Sequence, residues 1–209
     1  MKFKVTDLGL IDYQRAWNIQ KEALCYLRDT ATWGCLFFCR HYPVITMGRL
    51  TRQNSILVDE KTLKEKSITC YRIERGGDAT YHGPGQLTVY PIFNLGYFKK
   101  DIHWFLRQLE AVAISLLADF NITANRRSGF TGAWVREDKI ASIGIAVKNW
   151  ITYHGMSVII KKTDLENFSL IRPCGMDIAV TSMENILNRE VDFGQAKEKL
   201  CLKFSQFFN

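Results

Sequence analysis

The side chains with most chemistry to offer are a thiol and two imidazoles. Cys174 lies in the stretch RPCGM, residues 172–176. There Pro173 restricts the backbone and Gly175 leaves room for a carbonyl to approach. A cysteine so placed is a candidate nucleophile, and it reads equally well as a buried loop thiol. A free thiol, with a pKa of about 8.5, is only a few per cent ionised near neutral pH. A nucleophile therefore needs a neighbour that lowers its pKa. His82 and His154 are candidates, because a Cys–His pair is the commoner arrangement. Taken alone, Lys139 in EDKIASIG reads as a solvated lysine at the start of a strand.

His82 belongs to ERGGDATYHGPGQLTVYP, residues 74–91. A tight hairpin needs two to five linking residues, and about ten separate the apolar runs here. Gly76 and Gly77 permit backbone conformations closed to other residues. Gly83-Pro84-Gly85 joins two permissive positions to one fixed φ, so the turn is sharp without being loose. Backbone N–H groups and a few polar side chains are thus on offer to a bound group. The glycine spacing fits neither the dinucleotide-binding nor the P-loop pattern.

The elements that must position these groups are legible in outline. Asp12 caps a helix expected to run to about Arg28, with Trp17, Ala23, Leu24 and Leu27 on its apolar side. TWGCLFFCRHYPVITMG reads as a buried strand, a proline turn and a short strand. SITCYRIERG and QLTVYPIFNL read as strands flanking the glycine-rich loop. Asp101 caps the longest amphipathic helix, about Ile102 to Phe120. Three consecutive strands follow in GFTGAWVREDKIASIGIAVKNWITYHGMSVII. DLENFSLI suggests a helical turn, DIAVTSMENIL a short helix, and Gly194 to Phe208 a last amphipathic helix. The pattern predicts one α/β or α+β domain over residues 1–209, with a mixed, largely antiparallel sheet flanked by helices.

Composition narrows the function classes. The chain has 209 residues, 47% of them hydrophobic, which suits one domain with a substantial core. No apolar run approaches the roughly 18 residues of a membrane span, and the N-terminus has no secretory h-region, so a cytoplasmic setting is expected. The six cysteines are then expected to be reduced, most of them buried as small hydrophobes. Cys35, Cys39 and His41 share one strand face. Period-two alternation explains that as packing, and four convincing metal ligands are lacking. The net charge of +7 is scattered rather than gathered into a basic arm. It favours an acidic protein partner over nucleic acid.

Four stretches in order resemble one family. RGGDATYHGPGQLTVYPIFNL is similar to the signature of the lipoyl(octanoyl) transferases, which are octanoyl-carrier-protein:protein N-octanoyltransferases. HYPVITMGR resembles that family's His-Pro turn, GFTGAWVREDKIASIGIAVKNWITYHGMSV its lysine-bearing strands, and LIRPCGMDIAVTSM its cysteine loop. The likeness covers roughly residues 36 to 186. Tyr42 stands where proline is usual, Phe130 where tyrosine is common and Ala133 where valine is common.

The resemblance implies a fold like the biotin and lipoate protein ligases. It implies Cys174 as nucleophile and Lys139 as the group that lowers its pKa. It implies acyl and substrate contacts at Arg75, Gly76, Gly77, Asp78, Ala79, Thr80, Tyr81 and His82, at Ser142, Ile143 and Gly144, and at Gly155, Met156 and Ser157. The implied donor is octanoyl-acyl carrier protein. The implied acceptors are lipoyl domains of 2-oxoacid dehydrogenase E2 subunits and the glycine cleavage H protein. No cofactor and no metal are implied, and a monomer is expected. An ATP-dependent ligase and a non-catalytic carrier-binding module are the alternatives.

Overall fold

A computed structural model of the chain describes residues 2–172 and 178–208. The chain runs β1 (Lys4–Ile11), α1 (Tyr13–Asp29), β2 (Gly34–His41), β3 (Val44–Met47), α2 (Glu60–Glu65), β4 (Thr69–Arg72), β5 (Ala79–His82) and β6 (Gln86–Phe93). Then come α3 (Ile102–Ala118), β7 (Asn125–Arg127), β8 (Phe130–Val135), β9 (Asp138–Lys148), β10 (Ile151–Ile159), a 3-10 segment (Lys162–Leu170), α4 (Met183–Leu187) and α5 (Phe193–Phe207). The three long helices start where aspartates meet apolar periodicity. Asp12, Asp101 and Asp192 each accept a hydrogen bond from a backbone N–H three residues on.

A seven-stranded sheet has the order β1-β2-β6-β10-β9-β8-β7. β1 and β2 are parallel, and the other neighbours are antiparallel. All eight residues of β6 are buried, because this central strand is covered on both faces. On one face α3 and α5 pack through Phe105, Phe204 and Phe208 around Phe93. On the other, α1 packs Leu24 and Leu27 toward Ile92 and Tyr153. The expected mixed, largely antiparallel sheet flanked by helices is the one observed.

A second sheet, order β4-β3-β5, changes the reading of residues 74–91. That stretch is not one long loop. Ala79–His82 is a strand paired antiparallel to β3, with Val44 opposite His82 and Met47 opposite Ala79. Tyr81 drives this pairing by burying its ring with Ile45, Leu63 and Ile68. The strand is only four residues long and sits between glycines, which masks its alternation.

The expectation for the cysteines also needs amendment. Cys35 and Cys39 are buried, as core packing predicts, but Cys25 and Cys70 are exposed. Both lie on the outer faces of peripheral elements. All four are free thiols.

Candidate active site

A cavity of about 440 Å³ lies between the seven-stranded sheet and the segment that carries β5. Its floor is a row of small side chains across three strands. Ser142 on β9 is opposite Ser157 on β10, which is opposite Thr88 on β6, and Gly144 faces Gly155 in the next rank. Small residues keep the floor low, so a slender ligand can lie against the sheet. Leu50, Leu106, Phe130, Ile143 and Phe168 make the walls apolar. Apolar walls with a few placed polar groups are the usual make-up of a small-ligand site.

Residues 75–77 form the roof. The Arg75 guanidinium is buried and donates to the Thr46 carbonyl at 2.6 Å, to Thr46 Oγ1 at 3.0 Å and to the Gly76 carbonyl at 3.0 Å. The Gly76 N–H donates to the Ile145 carbonyl of β9 at 2.8 Å. Gly77 has φ +84°, a backbone conformation that favours glycine. Burial pulls Arg75 down to about 10, so it stays charged at neutral pH.

Part of the lining is polar: Tyr13, His82, Tyr90 and His154 line the cavity together with the charged Arg75, and the Glu74 carboxylate lies 3.4 Å from His154 Nε2. Burial pushes His82 well below the ordinary imidazole range, and the neighbouring His41 and Arg75 push the same way. Burial also lowers His154, which Glu74 partly opposes, and takes His41 down to about 4. Tyr13 and Tyr90 are pushed up by the same loss of solvent. Histidines held neutral in this way are weak bases at pH 7. His154 also has φ +59°, and Gln20 of α1 accepts its N–H at 2.8 Å.

Lys139 stands at the start of β9 and lines the cavity. Its ammonium lies 5.4 Å from the Trp134 ring centre. Gly132 on β8 makes room for the side chain. A Cβ there would come within 2.7 Å of Lys139 Cε and 2.5 Å of the Ala141 carbonyl, at φ +141°.

Cys174 lies outside the described residues, as do all of residues 173–177. The chain on either side is placed. Before the segment, the Leu57 N–H donates to the Leu170 carbonyl and the Arg172 N–H to the Ser55 carbonyl, both at 2.9 Å. After it, the Lys139 N–H donates to the Ala179 carbonyl at 2.9 Å, and the Thr181 N–H to the Lys139 carbonyl at 3.0 Å. Val180 thus forms a parallel bridge with Lys139 itself. Ile171, Ile178 and Val180 line the same cavity. The backbone of the lysine and the exit of the cysteine segment are therefore joined directly.

Every expected site residue in the described part lines this cavity except Tyr81. Tyr81 points into the small core, where its hydroxyl accepts from Asn167 Nδ2 at 3.0 Å. Sequence reasoning missed Tyr13, Thr88 and Tyr90. Period two in QLTVYPIF puts Gln86, Thr88 and Tyr90 on one face of β6, so that polar face had a readable signal. Tyr13 had none beyond its place after a helix cap. Among the described residues no cluster of metal-ligating side chains is present.

Comparison with known proteins agrees with this geometry. Residues 12–205 match the family described as the lipoyl protein ligase A/B catalytic domain. Among solved structures, a bipartite lipoate protein ligase from Thermoplasma acidophilum superposes with a TM-score of 0.79 at 19% identity, covering 100% of this chain and 84% of that one. Biotin protein ligase from Aquifex aeolicus, solved with biotin and ATP, gives 0.59 at 11% identity, covering 98% and 69%. These two likenesses define a ligase-type α/β fold. An octanoyltransferase from Cytophaga hutchinsonii is 42% identical over 98% of this chain and 91% of that protein. The chain belongs to the lipoyl protein ligase A/B catalytic-domain family, among its octanoyltransferases.

Proposed function

We propose that the protein transfers an octanoyl or lipoyl group from acyl carrier protein to a lysine of lipoyl domains, through a thioester on Cys174. This is the first step of endogenous protein lipoylation. The observation that carries the proposal is the bridge between Lys139 and Val180 at the rim of an apolar cavity. It supports a short path from the lysine to the cysteine segment.

The reaction has two steps. Cys174, as thiolate, attacks the octanoyl thioester, and the carrier thiol leaves with a proton. The ε-amine of the lipoyl-domain lysine then attacks the acyl-enzyme. The C–S bond breaks, the amide forms and the thiol is regenerated. Exchange of one thioester for another is nearly balanced, and thioester to amide is downhill, so the transfer needs no ATP. Splitting the reaction is covalent catalysis, with ping-pong kinetics as its fingerprint. The role assigned to Lys139 is to stabilise the thiolate and carry the proton between the steps. The neutral, buried state of His82 and His154 favours Lys139 over either imidazole for that role. Residues 75–80, 142–144 and 155–157 are assigned to the acyl chain and its thioester, with backbone N–H groups serving each oxyanion.

One catalytic domain acting as a cytoplasmic monomer completes the proposal. The partners are the carrier protein, the E2 lipoyl domains and the glycine cleavage H protein. Among the described residues, no helix is long and apolar enough to cross a membrane. The test is octanoylation of a purified lipoyl domain. Transfer from octanoyl-carrier protein without nucleotide is expected. Transfer only from free octanoate with ATP would make the protein a ligase instead.

A further inference from the structure

We propose that Asp164 is a positioning residue for residues 162–172, the approach to the cysteine segment: it clasps the turn at residues 83–85 and so fixes the 3-10 segment against the cavity. This rests on the thioester reading above. Asp164 is 3% exposed, and its Oδ2 accepts the Gly85 N–H at 2.8 Å. The carboxylate also stands close against both glycines of the turn. A Cβ on Gly83 would stand 2.6 Å from Asp164 Oδ2 and 2.6 Å from the Tyr81 hydroxyl, and one on Gly85 3.0 Å from Asp164 Oδ2 and 3.1 Å from Lys161 Cβ. The HGPG turn is thus packed against a carboxylate about eighty residues further along, with Tyr81 and Lys161 beside it.

From Asp164 the chain is registered at each step to residue 172. Asn167 Nδ2 donates to the Tyr81 hydroxyl. Phe168 meets the Tyr81 ring edge-on with centres 5.6 Å apart, and it lines the cavity. Leu170 and Arg172 are tied to residues 57 and 55 through backbone hydrogen bonds. The charge is not there for an ion pair with Lys161. That residue flanks the same turn but is committed to Glu184 at 2.7 Å. Burial without a cation pushes the Asp164 carboxyl up to about 6, and keeping a buried acid costs stability. A strong acceptor for the turn's N–H is what the carboxylate supplies in return.

The test is the single-turnover rate of Cys174 octanoylation, read by intact-protein mass spectrometry, with folding checked by thermal melting. Asp164→Ala should slow acylation on the order of tenfold to a hundredfold, as for a misplaced reacting group. The carrier concentration giving half the maximal rate should stay near the wild-type value. Asp164→Asn keeps an acceptor and should retain most of the rate. Gly85→Ala should be slow too, and slower against wild-type Asp164 than in the Asp164→Ala background. If Asp164→Ala does not fold, Gly85→Ala carries the test, and a wild-type rate in it overturns the proposal. So does a folded Asp164→Ala that acylates at the wild-type rate, or equal losses in the Ala and Asn variants. Those results leave the thioester reading intact. Absence of any Cys174 adduct on the wild type would overturn both.

Discussion

Gly132 and Lys139 form a matched pair across β8 and β9. The lysine stem occupies the space a Cβ at residue 132 would need. Gly132→Ala is therefore expected to displace the amine and, because its Cβ also meets the Ala141 carbonyl, to strain β8 against β9, slowing acylation on the order of tenfold or more. Lys139→Ala tests the amine itself. Without the positive charge, the Cys174 thiol pKa should move up toward about 8.5. The pH dependence of Cys174 alkylation measures this. An unchanged profile in Lys139→Ala, with a shifted one in His82→Ala, would move the activating role to the imidazole. At this scale the sequence singled out candidate groups better than it placed them. Cys174 and Lys139 carried motif signals. The clasp between Asp164 and Gly85 did not, because nothing local to DLENFSLI says that its carboxylate meets a distant turn.

The elements show where local signals suffice. The three aspartate caps set the starts of α1, α3 and α5 within a residue of expectation. Asp101→Ala should cost about 1 kcal/mol, lowering the melting temperature by about 2–4 °C, with acyl transfer unaffected. A larger loss, or a loss of activity, would mean that the cap also fixes Leu106 of α3 in the cavity wall. β8, β9 and β10 were readable because long alternating strands are joined by short links. β5 was hidden among glycines, and its partner β3 lies far back in the chain. The bridge from Lys139 to Val180 was illegible for the same reason: strand pairing between distant segments leaves no local trace.

For the molecule as a whole, charge governs encounter and pH governs stability. With a net charge of +7, association with an acidic carrier should be steered electrostatically. Transfer from the carrier should then slow several-fold as salt shortens the Debye length to about 3 Å. A salt-independent rate would remove steering from the account. His41 falls from an ordinary 6.5 to about 4 on burial. Its stabilising contribution is full above pH 6.5 and is lost as pH falls toward 4, worth about 3 kcal/mol at most. His82 and His154 act in the same direction. Asp164, raised from 3.8 to about 6, acts oppositely: its contribution is full below pH 3.8 and lost as pH rises through 6. Three histidines against one carboxyl predict a urea midpoint that drops between pH 7 and pH 4.5. His41→Gln should flatten the drop. A midpoint that does not move over that range would contradict the neutral, buried state of these rings. The mixed sheet flanked by helices was legible at this scale. The second sheet, whose strand β5 lines the cavity, was not, since it depends on a short strand inside a glycine-rich stretch.

The most direct test of the central claim is the mass of the intact protein after mixing with octanoyl-carrier protein, with Cys174→Ala treated alongside. A gain of one octanoyl group is expected on the wild type alone, removed by hydroxylamine as a thioester would be. No gain, or the same gain on Cys174→Ala, would contradict it and take Cys174 out of the reaction.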